Sequence, residues 1–509
     1  MDVTALVECK ESPSKPVLGA HKIRRDVATL VIGSLLAAVF GALVVFVIPR
    51  ITSVKDFGYW RIFLLYVGYA GFFHLGFGEG ALLSWAGKSL ASFHHEMRPA
   101  VKFLIAQHLI FLALGCILVG LLPPHIRFVA IAVLAFALLQ NTVVLLQSAL
   151  QAARQFGPVA MATAAPAGFF LSFAFLATLR TKPDYRVLIV CYFLAWLIVL
   201  GFLWSRIRPR QFASTTSTWT IGKRYIAIGW PITLANTAFG LVQSSDRFVL
   251  SSAVSIYVFA QYSLAASTMM VPLTLIAAIT RVFFPHLAAA DKEQHPEIYG
   301  QVSRLIVLAW SALLPYYFFV DLFIHRFLPA YLGVLSVART LLLGVLFLAV
   351  IQILQGSVFN LYGKQKHFLL YAVVAVAMSL GLAAMAALFF HSLLLVAAMQ
   401  VVAVGSWWWF NAWRLRSITG ESWRDFGSVL FIFVWSAVCL RLAFSWSSNC
   451  VFRTACYWAL TGGPLVFVCG DQIRSIGRLA YDMRHLFIPS VAAKARLASD
   501  TVLESENIR

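Results

Sequence analysis

An all-α polytopic membrane protein with about 14 transmembrane helices is the fold that the sequence predicts, from three observations. Of 509 residues, 61% are hydrophobic and 12% charged, whereas soluble domains carry roughly 45–50% apolar and about 25% charged residues. Apolar stretches long enough for a bilayer, about 20 residues each, recur along the chain with short connections between them. The 42 Phe and 15 Trp supply the lipid-facing and interfacial rings that such helices use.

The elements follow in chain order. Residues 1–26 are polar and basic (Lys10, Lys15, Lys22, Arg24, Arg25) and read as a cytoplasmic tail. The apolar run 27–49 exceeds the roughly 7–15 residues of a signal-peptide core, so it is predicted to be the first span. Further spans are expected near 58–85, 100–122, 126–151, 157–179 and 186–205, completing an N-lobe over 27–206. The Ser/Thr-rich basic stretch 207–223 reads as a cytoplasmic linker. A C-lobe over 224–413 follows, with spans near 225–250, 255–284, 303–324, 338–361, 367–390 and 393–413. Two extra spans, near 426–444 and 453–471, fill 424–472, and 473–509 is a second cytoplasmic tail.

Basic clusters fix the orientation, because cytoplasmic loops of membrane proteins collect Lys and Arg. Arg206, Arg208, Arg210, Lys223 and Arg224 form one such cluster, and Arg414, Arg416 and Arg424 another. The outer loop with Arg180, Lys182 and Arg186 runs against the pattern. The net charge of +20 therefore reports topology, and no nucleic-acid partner is expected. Seven Cys without a CxxC pair imply neither a disulfide framework nor a metal site, and no cofactor is expected. His94-His95-Glu96 lacks a third ligand at helical spacing and reads as solvated loop.

The two lobes repeat weakly. "DFGYWRIFLLYVGYA" in the second span aligns with "VFAQYSLAASTMMV" in the eighth. "LLQSALQAARQF" aligns with "ILQGSVFNLYGKQKHF", placing Gln147 opposite Gln355 and Arg154-Gln155 opposite Lys364-Gln365. Chance likeness is the competing reading in so apolar a chain. Parallel repeats of six spans place a substrate site between them and suit alternating access.

Four stretches taken together, "DFGYW", "LGFGEGALLSWAGK", "SDRFVLSSAVSIYVFAQYSLA" and "RFLPAYLGVLSVARTLLL", carry a resemblance over about residues 27–413. The chain resembles the polysaccharide transporter (Wzx-type O-antigen/exopolysaccharide flippase) family of the multidrug/oligosaccharidyl-lipid/polysaccharide (MOP) superfamily. The resemblance implies a MATE-like pair of six-helix lobes around a V-shaped cavity. It also implies movement of an undecaprenyl-pyrophosphate-linked oligosaccharide across the cytoplasmic (inner) membrane, for cell-surface polysaccharide biosynthesis. The partners it implies are the lipid-linked oligosaccharide, membrane lipids, and a polysaccharide polymerase with other assembly proteins. Two departures stand out: Glu79 where members often carry Asp, and the two extra spans, which are similar to those of lipid II flippases.

Charges inside apolar spans are costly, so each needs a wet cavity, a partner or a helix end. The acids so placed are Glu79, Asp246 and Asp321, the last expected at an exposed outer helix end. Asp246 lies 22 residues beyond Arg224, close to the outer interface, and Arg61 lies at the same depth in the other lobe. Adjacent side chains diverge by about 100° on a helix, so Asp246 is expected to pair with Arg61 rather than Arg247. Arg61, Asp246 and Arg247 are thus a candidate outer gate, with snorkelling to headgroups as the plainer reading. Glu79, among Gly76, Gly78 and Gly80, is assigned to the cavity or to a helix cap. Gln147, Gln151, Asn236 and Gln243 are candidates for sugar hydroxyls, or for gluing helices together. Arg154, Arg281 and Lys364 are candidates for the pyrophosphate, or simply positive-inside charges. A cation-coupled MATE-like antiporter and a membrane polymerase or glycosyltransferase are the alternatives. An enzyme of that kind presents a large outer loop, and no loop here is long enough, so no enzymatic activity is expected.

Overall fold

The computed structural model describes residues 20–207, 217–280, 294–419 and 423–487. Among the described residues there are helices and no strand. The first half of the chain builds α1 (Ala20–Ile51), α2 (Val54–Val67), α3 (Phe77–Trp85), α4 (Leu90–Val119), α5 (Pro124–Ala152), α6 (Phe156–Thr178) and α7 (Tyr185–Ile207). The second half continues with α8 (Thr218–Ala253), α9 (Ile256–Thr268), α10 (Met270–Thr280), α11 (His295–Leu313) and α12 (Tyr316–Phe327). It is completed by α13 (Val334–Val350), α14 (Gly356–Leu361), α15 (Gln365–Leu388) and α16 (Leu393–Thr419). Two last helices, α17 (Trp423–Trp446) and α18 (Cys450–Phe487), pack on each other and against α11 and α12.

Among the described residues, twelve helical runs are long and apolar enough to cross a membrane, and the bent pair of α2 and α3 makes a thirteenth. The protein is a multi-pass membrane protein. The predicted fourteenth span, 453–471, falls on α18, which carries Arg453 and Pro464 and breaks its helical geometry at Cys469. Below, the face where α1 begins is the near face and the one where α1 ends is the far face.

Span two does not run straight. Between α2 and α3 lies a 3₁₀ turn, Ala70–His74, and the axis bends by 57°. Leu75 (φ 51°) and Gly76 (φ 85°) are consecutive left-handed residues. Glycine takes that conformation without the Cβ clash that Leu75 suffers. Span ten is also irregular: a π turn, Ile351–Gln355, joins α13 to α14. Such turns are rare and concentrate at functional sites.

Local geometry recurs between the halves. α2 and α9 each start on a serine (Ser53, Ser255) whose hydroxyl accepts a backbone N–H of the first turn. They run for 14 and 13 residues before the span breaks. The α5–α6 turn closes with Gln155 N–H to Leu150 O (2.8 Å), and the α14–α15 turn with Lys364 N–H to Phe359 O (2.8 Å). Each turn holds one left-handed residue, Arg154 (φ 58°) and Gly363 (φ 63°). Arg154 therefore matches Gly363, one residue from the sequence alignment, because the left-handed position sets the register.

Within the first half α1 packs on α6, and α5 on α3, α4 and α7. Within the second, α8 and α16 pack on α15, and α13 on α16. The halves meet where α3 runs along α8 on the near side and α2 along α9 on the far side. Between these contacts α1 crosses α10.

Candidate functional site

Two cavities adjoin between these helices. One, of about 440 Å³, is lined by Ser34, Ala38 and Gly41 of α1, Thr163 of α6, Gln243 of α8, Thr274 of α10, and Gln352. The other, of about 510 Å³, lies within the second half and is lined by Asn236, Phe239, Gln352, Ser357, Asn360, Gln365 and Phe368. Gln352, on the π turn, borders both. Amides beside aromatic faces suit hydroxyl-rich ligands, since amides both donate and accept.

The structure spreads the sequence candidates over several places. Gln243 lines the first cavity and donates to the Met270 sulfur (3.8 Å), while Asn236 lines the second. Gln147 is half-buried in α5, and Gln151, Arg154 and Lys364 are exposed at the near ends of their spans. Arg281 lies outside the described residues. Gln352 and Thr163 escaped the sequence reading because one polar residue per apolar turn carries no periodic signal.

Toward the far face, one turn beyond Gln243, sits the charged cluster. Asp246 is fully buried, accepts from the Tyr262 hydroxyl (2.7 Å) and lies 3.7 Å from Arg247 Nε. It also accepts the Arg247 backbone N–H (2.7 Å), and the Arg247 guanidinium donates to the Gln243 carbonyl (3.1 Å). The expected pairing of Asp246 with Arg61 is therefore corrected: Asp246 pairs with its neighbour, since the long Arg247 side chain folds back along α8. Arg61 approaches the same cluster from α2, near enough to feel the Arg247 charge. The Nε groups of both arginines are buried without a hydrogen-bond partner. Ring contacts between the halves surround the cluster, Tyr69 with Phe248 (4.9 Å) and Phe57 with Tyr331 (5.8 Å). A Cβ on Gly58 would lie 2.7 Å from the Ile256 carbonyl oxygen, so α2 and α9 meet backbone to backbone.

The near face is sealed differently. Glu96 of α4 pairs with Arg224 of α8 (2.8 Å) and accepts from the Tyr225 hydroxyl and Trp85 Nε1 (3.0 Å). His94 is buried, with Nε2 2.9 Å from the Ile207 carbonyl. The solvated-loop expectation for His94-His95-Glu96 is thus overturned: α4 begins at Leu90 and carries these residues onto its neighbours. Below this latch α3 and α8 are in backbone contact. A Cβ on Gly229 would overlap the Gly76 carbonyl, and one on Gly80 the Tyr225 carbonyl.

Glu79 sits in the first turn of α3, just after the break in span two. Its carboxylate accepts from Thr233 of α8 (3.0 Å) and lies 3.6 Å from His74 Nε2. The helix N-terminus favours a negative charge there. Asp321, expected to be exposed, is instead buried and paired with Arg453 of α18 (2.8 Å), which clamps α18 to α12.

Residues 47–335 match the family described as polysaccharide biosynthesis protein. No curated protein sequence matches the chain. Among solved structures, lipid II flippase MurJ in an inward closed conformation is similar at 12% identity and a TM-score of 0.68, over 89% of this chain and 99% of that one. An inward-facing multidrug resistance MATE family transporter of the MOP superfamily is similar at 13% identity and 0.57, over 78% and 99%. An outward-facing structure of that kind is similar at 15% identity and 0.52, over 80% and 100%. At these identities the likeness is one of fold.

Proposed function

The chain belongs to the polysaccharide biosynthesis protein family and has the fold of the MOP superfamily, and from these premises we propose that it is a flippase. Its cargo would be an undecaprenyl-pyrophosphate-linked oligosaccharide, moved across the cytoplasmic membrane by alternating access, with no covalent chemistry. The near face and both tails are then cytoplasmic. The observation that carries this reading is a cavity flanked on both faces by contacts between the chain halves, with the buried Arg61 Nε unmet toward the far face.

In this cycle 27–206 and 224–413 act as N-lobe and C-lobe, and 424–472 braces the second. Opening of the Glu96–Arg224 latch admits the headgroup from the inner leaflet. Arg61 and Arg247 receive the pyrophosphate, because a guanidinium offers paired N–H groups that match phosphate oxygens. The amides Asn236, Gln243, Gln352 and Asn360 take sugar hydroxyls. Arg154, Lys364, Gln147 and Gln151 serve the approach at the cytoplasmic rim, and Arg281 is assigned the same role from its sequence position. Asp246 tethers Arg247, and parting of α2 from α9 releases the cargo outside, where a polymerase and other assembly proteins take it up. Reconstitution tests this directly: vesicles with labelled lipid-linked oligosaccharide in one leaflet should equilibrate it only when the protein is present. No protein-dependent movement would sink the proposal.

A further inference from the structure

The break in span two holds one imidazole, His74, and a second, His108 of α4, is tied to it through Asn141; nothing in the transport cycle uses either. His74 is buried, and its Nδ1 accepts the backbone N–H of Gly76 at 3.0 Å. A backbone N–H only donates, so Nδ1 bears no proton and the ring's hydrogen is on Nε2, facing Glu79 at 3.6 Å. His108 of α4 is buried nearby. Its Nδ1 donates to the Leu104 carbonyl (2.8 Å), so its Nε2 accepts from Asn141 of α5 (2.8 Å). Asn141 also donates to the Ala70 carbonyl within the break (2.8 Å). Both rings are therefore held neutral by donors already pointing at them. Glu79 from α3 faces His74 and, through Glu79, Thr233 from α8; His108 of α4 and Asn141 of α5 are tied to the same break through the Ala70 carbonyl.

We propose that His74, with Glu79, is a proton-binding site that controls the near-face seal of this protein. A proton taken from water binds Nδ1, giving an imidazolium beside the Glu79 carboxylate, and leaves by the reverse step. Nδ1–H then opposes the Gly76 N–H, so the bond that caps the left-handed pair Leu75–Gly76 is lost. Gly76 is also the residue whose carbonyl lies against Gly229, so a change at this turn is delivered to the α3–α8 seam. The partly exposed Glu79 side chain, at 28%, gives the pair access to solvent. Falling pH opens the near face and rising pH closes it. The idea rests on the alternating-access reading only in supposing that the near face opens.

Spin labels at Leu83 of α3 and Ile228 of α8, both exposed, read the seam in the full chain in lipid nanodiscs without cargo. The wild-type separation should lengthen between pH 8 and pH 5 with a single-proton midpoint. His74→Gln should stay short throughout, because its amide oxygen takes the Gly76 N–H but binds no proton. Glu79→Gln should move the midpoint down by about one unit or more, for loss of the opposite charge. A wild-type separation that ignores pH, or a His74→Gln profile like wild type, overturns the site. Should His74→Gln fail to fold, an unshifted Glu79→Gln midpoint overturns it equally. A flat profile leaves flipping in vesicles untouched, and absent flipping leaves this titration untouched, so the two failures are distinguishable.

Discussion

The Glu96 latch gives the sharpest quantitative prediction. In Glu96→Gln the Trp85 bond stays within the first half and is not lost on opening, so only the contacts to Arg224 and Tyr225 count. The Arg224 side chain is 46% exposed, so the ion pair is screened and contributes about 0.5–1 kcal/mol. Replacing a charged acceptor by a neutral one weakens the Tyr225 bond by about 1 kcal/mol. The closed state loses about 1.5–2 kcal/mol, which raises the open-to-closed ratio roughly ten- to thirtyfold at about 1.4 kcal/mol per decade. The assay is the labelling rate of Gln243→Cys by a membrane-impermeant thiol reagent, in a background without native thiols. The rate should rise by about that factor, Arg224→Gln, which spares the Tyr225 bond, should raise it only about two- to fivefold, and the double variant should add little to Glu96→Gln, because the ion pair is already broken. Simple multiplication of the two effects, or an unchanged rate, would refute the latch.

Four other outcomes are expected. Asp246→Asn strands the Arg247 charge in a buried site and should lower the melting temperature, costing about 3 kcal/mol or more; adding Arg247→Gln should recover most of it. Arg61→Gln should raise the melting temperature rather than lower it, since its Nε has no protein partner and its charge is buried, yet raise the Kd for a lipid pyrophosphate about tenfold or more. Gly229→Ala should weaken the α3–α8 seam by about 1–3 kcal/mol and speed labelling of Gln243→Cys, whereas Gly41→Ala, with open space around it, should not. A cargo with two negative charges gains about 4.6 kcal/mol per 100 mV when it leaves a negative interior, so an ionophore that collapses the potential should slow outward flipping. Flux unaffected by the ionophore would assign the driving force to something else.

The helices were legible because hydrocarbon length is a local requirement, met by each apolar run without reference to its neighbours. The break in span two was not, since 58–85 reads as one apolar run despite Arg61, His74 and Glu79, and the left-handed Leu75–Gly76 pair is fixed by packing on α8. The glycines themselves were visible, and Gly76 and Gly80 lie against the backbone of α8. Glu96 was misread because its partner Arg224 stands 128 residues away, a separation no spacing rule reaches. Asp321 failed for the same reason, with Arg453 132 residues distant. Asp246 failed for a different one: helical angles describe Cβ directions, whereas a long arginine reaches back past its own Cβ.

The two seals differ in kind, and the difference gives the cycle a direction. On the far side the halves meet through rings and backbone, Phe57 with Tyr331, Tyr66 with Phe248, and Gly58 with Ile256. On the near side the glycine seam is fastened by an ion pair. Salt screens an exposed ion pair and leaves aromatic contacts almost unaffected, so raised ionic strength should loosen the near seal alone. An anionic headgroup arriving at that face competes with Glu96 for Arg224 and loosens the latch by the same physics. At the far face Arg61 holds an unmet N–H group inside the seal, beside the Asp246-paired Arg247, where the headgroup gains most once it is already in the cavity. A cargo of the proposed charge thus unlocks the side it enters and is received at the side it leaves.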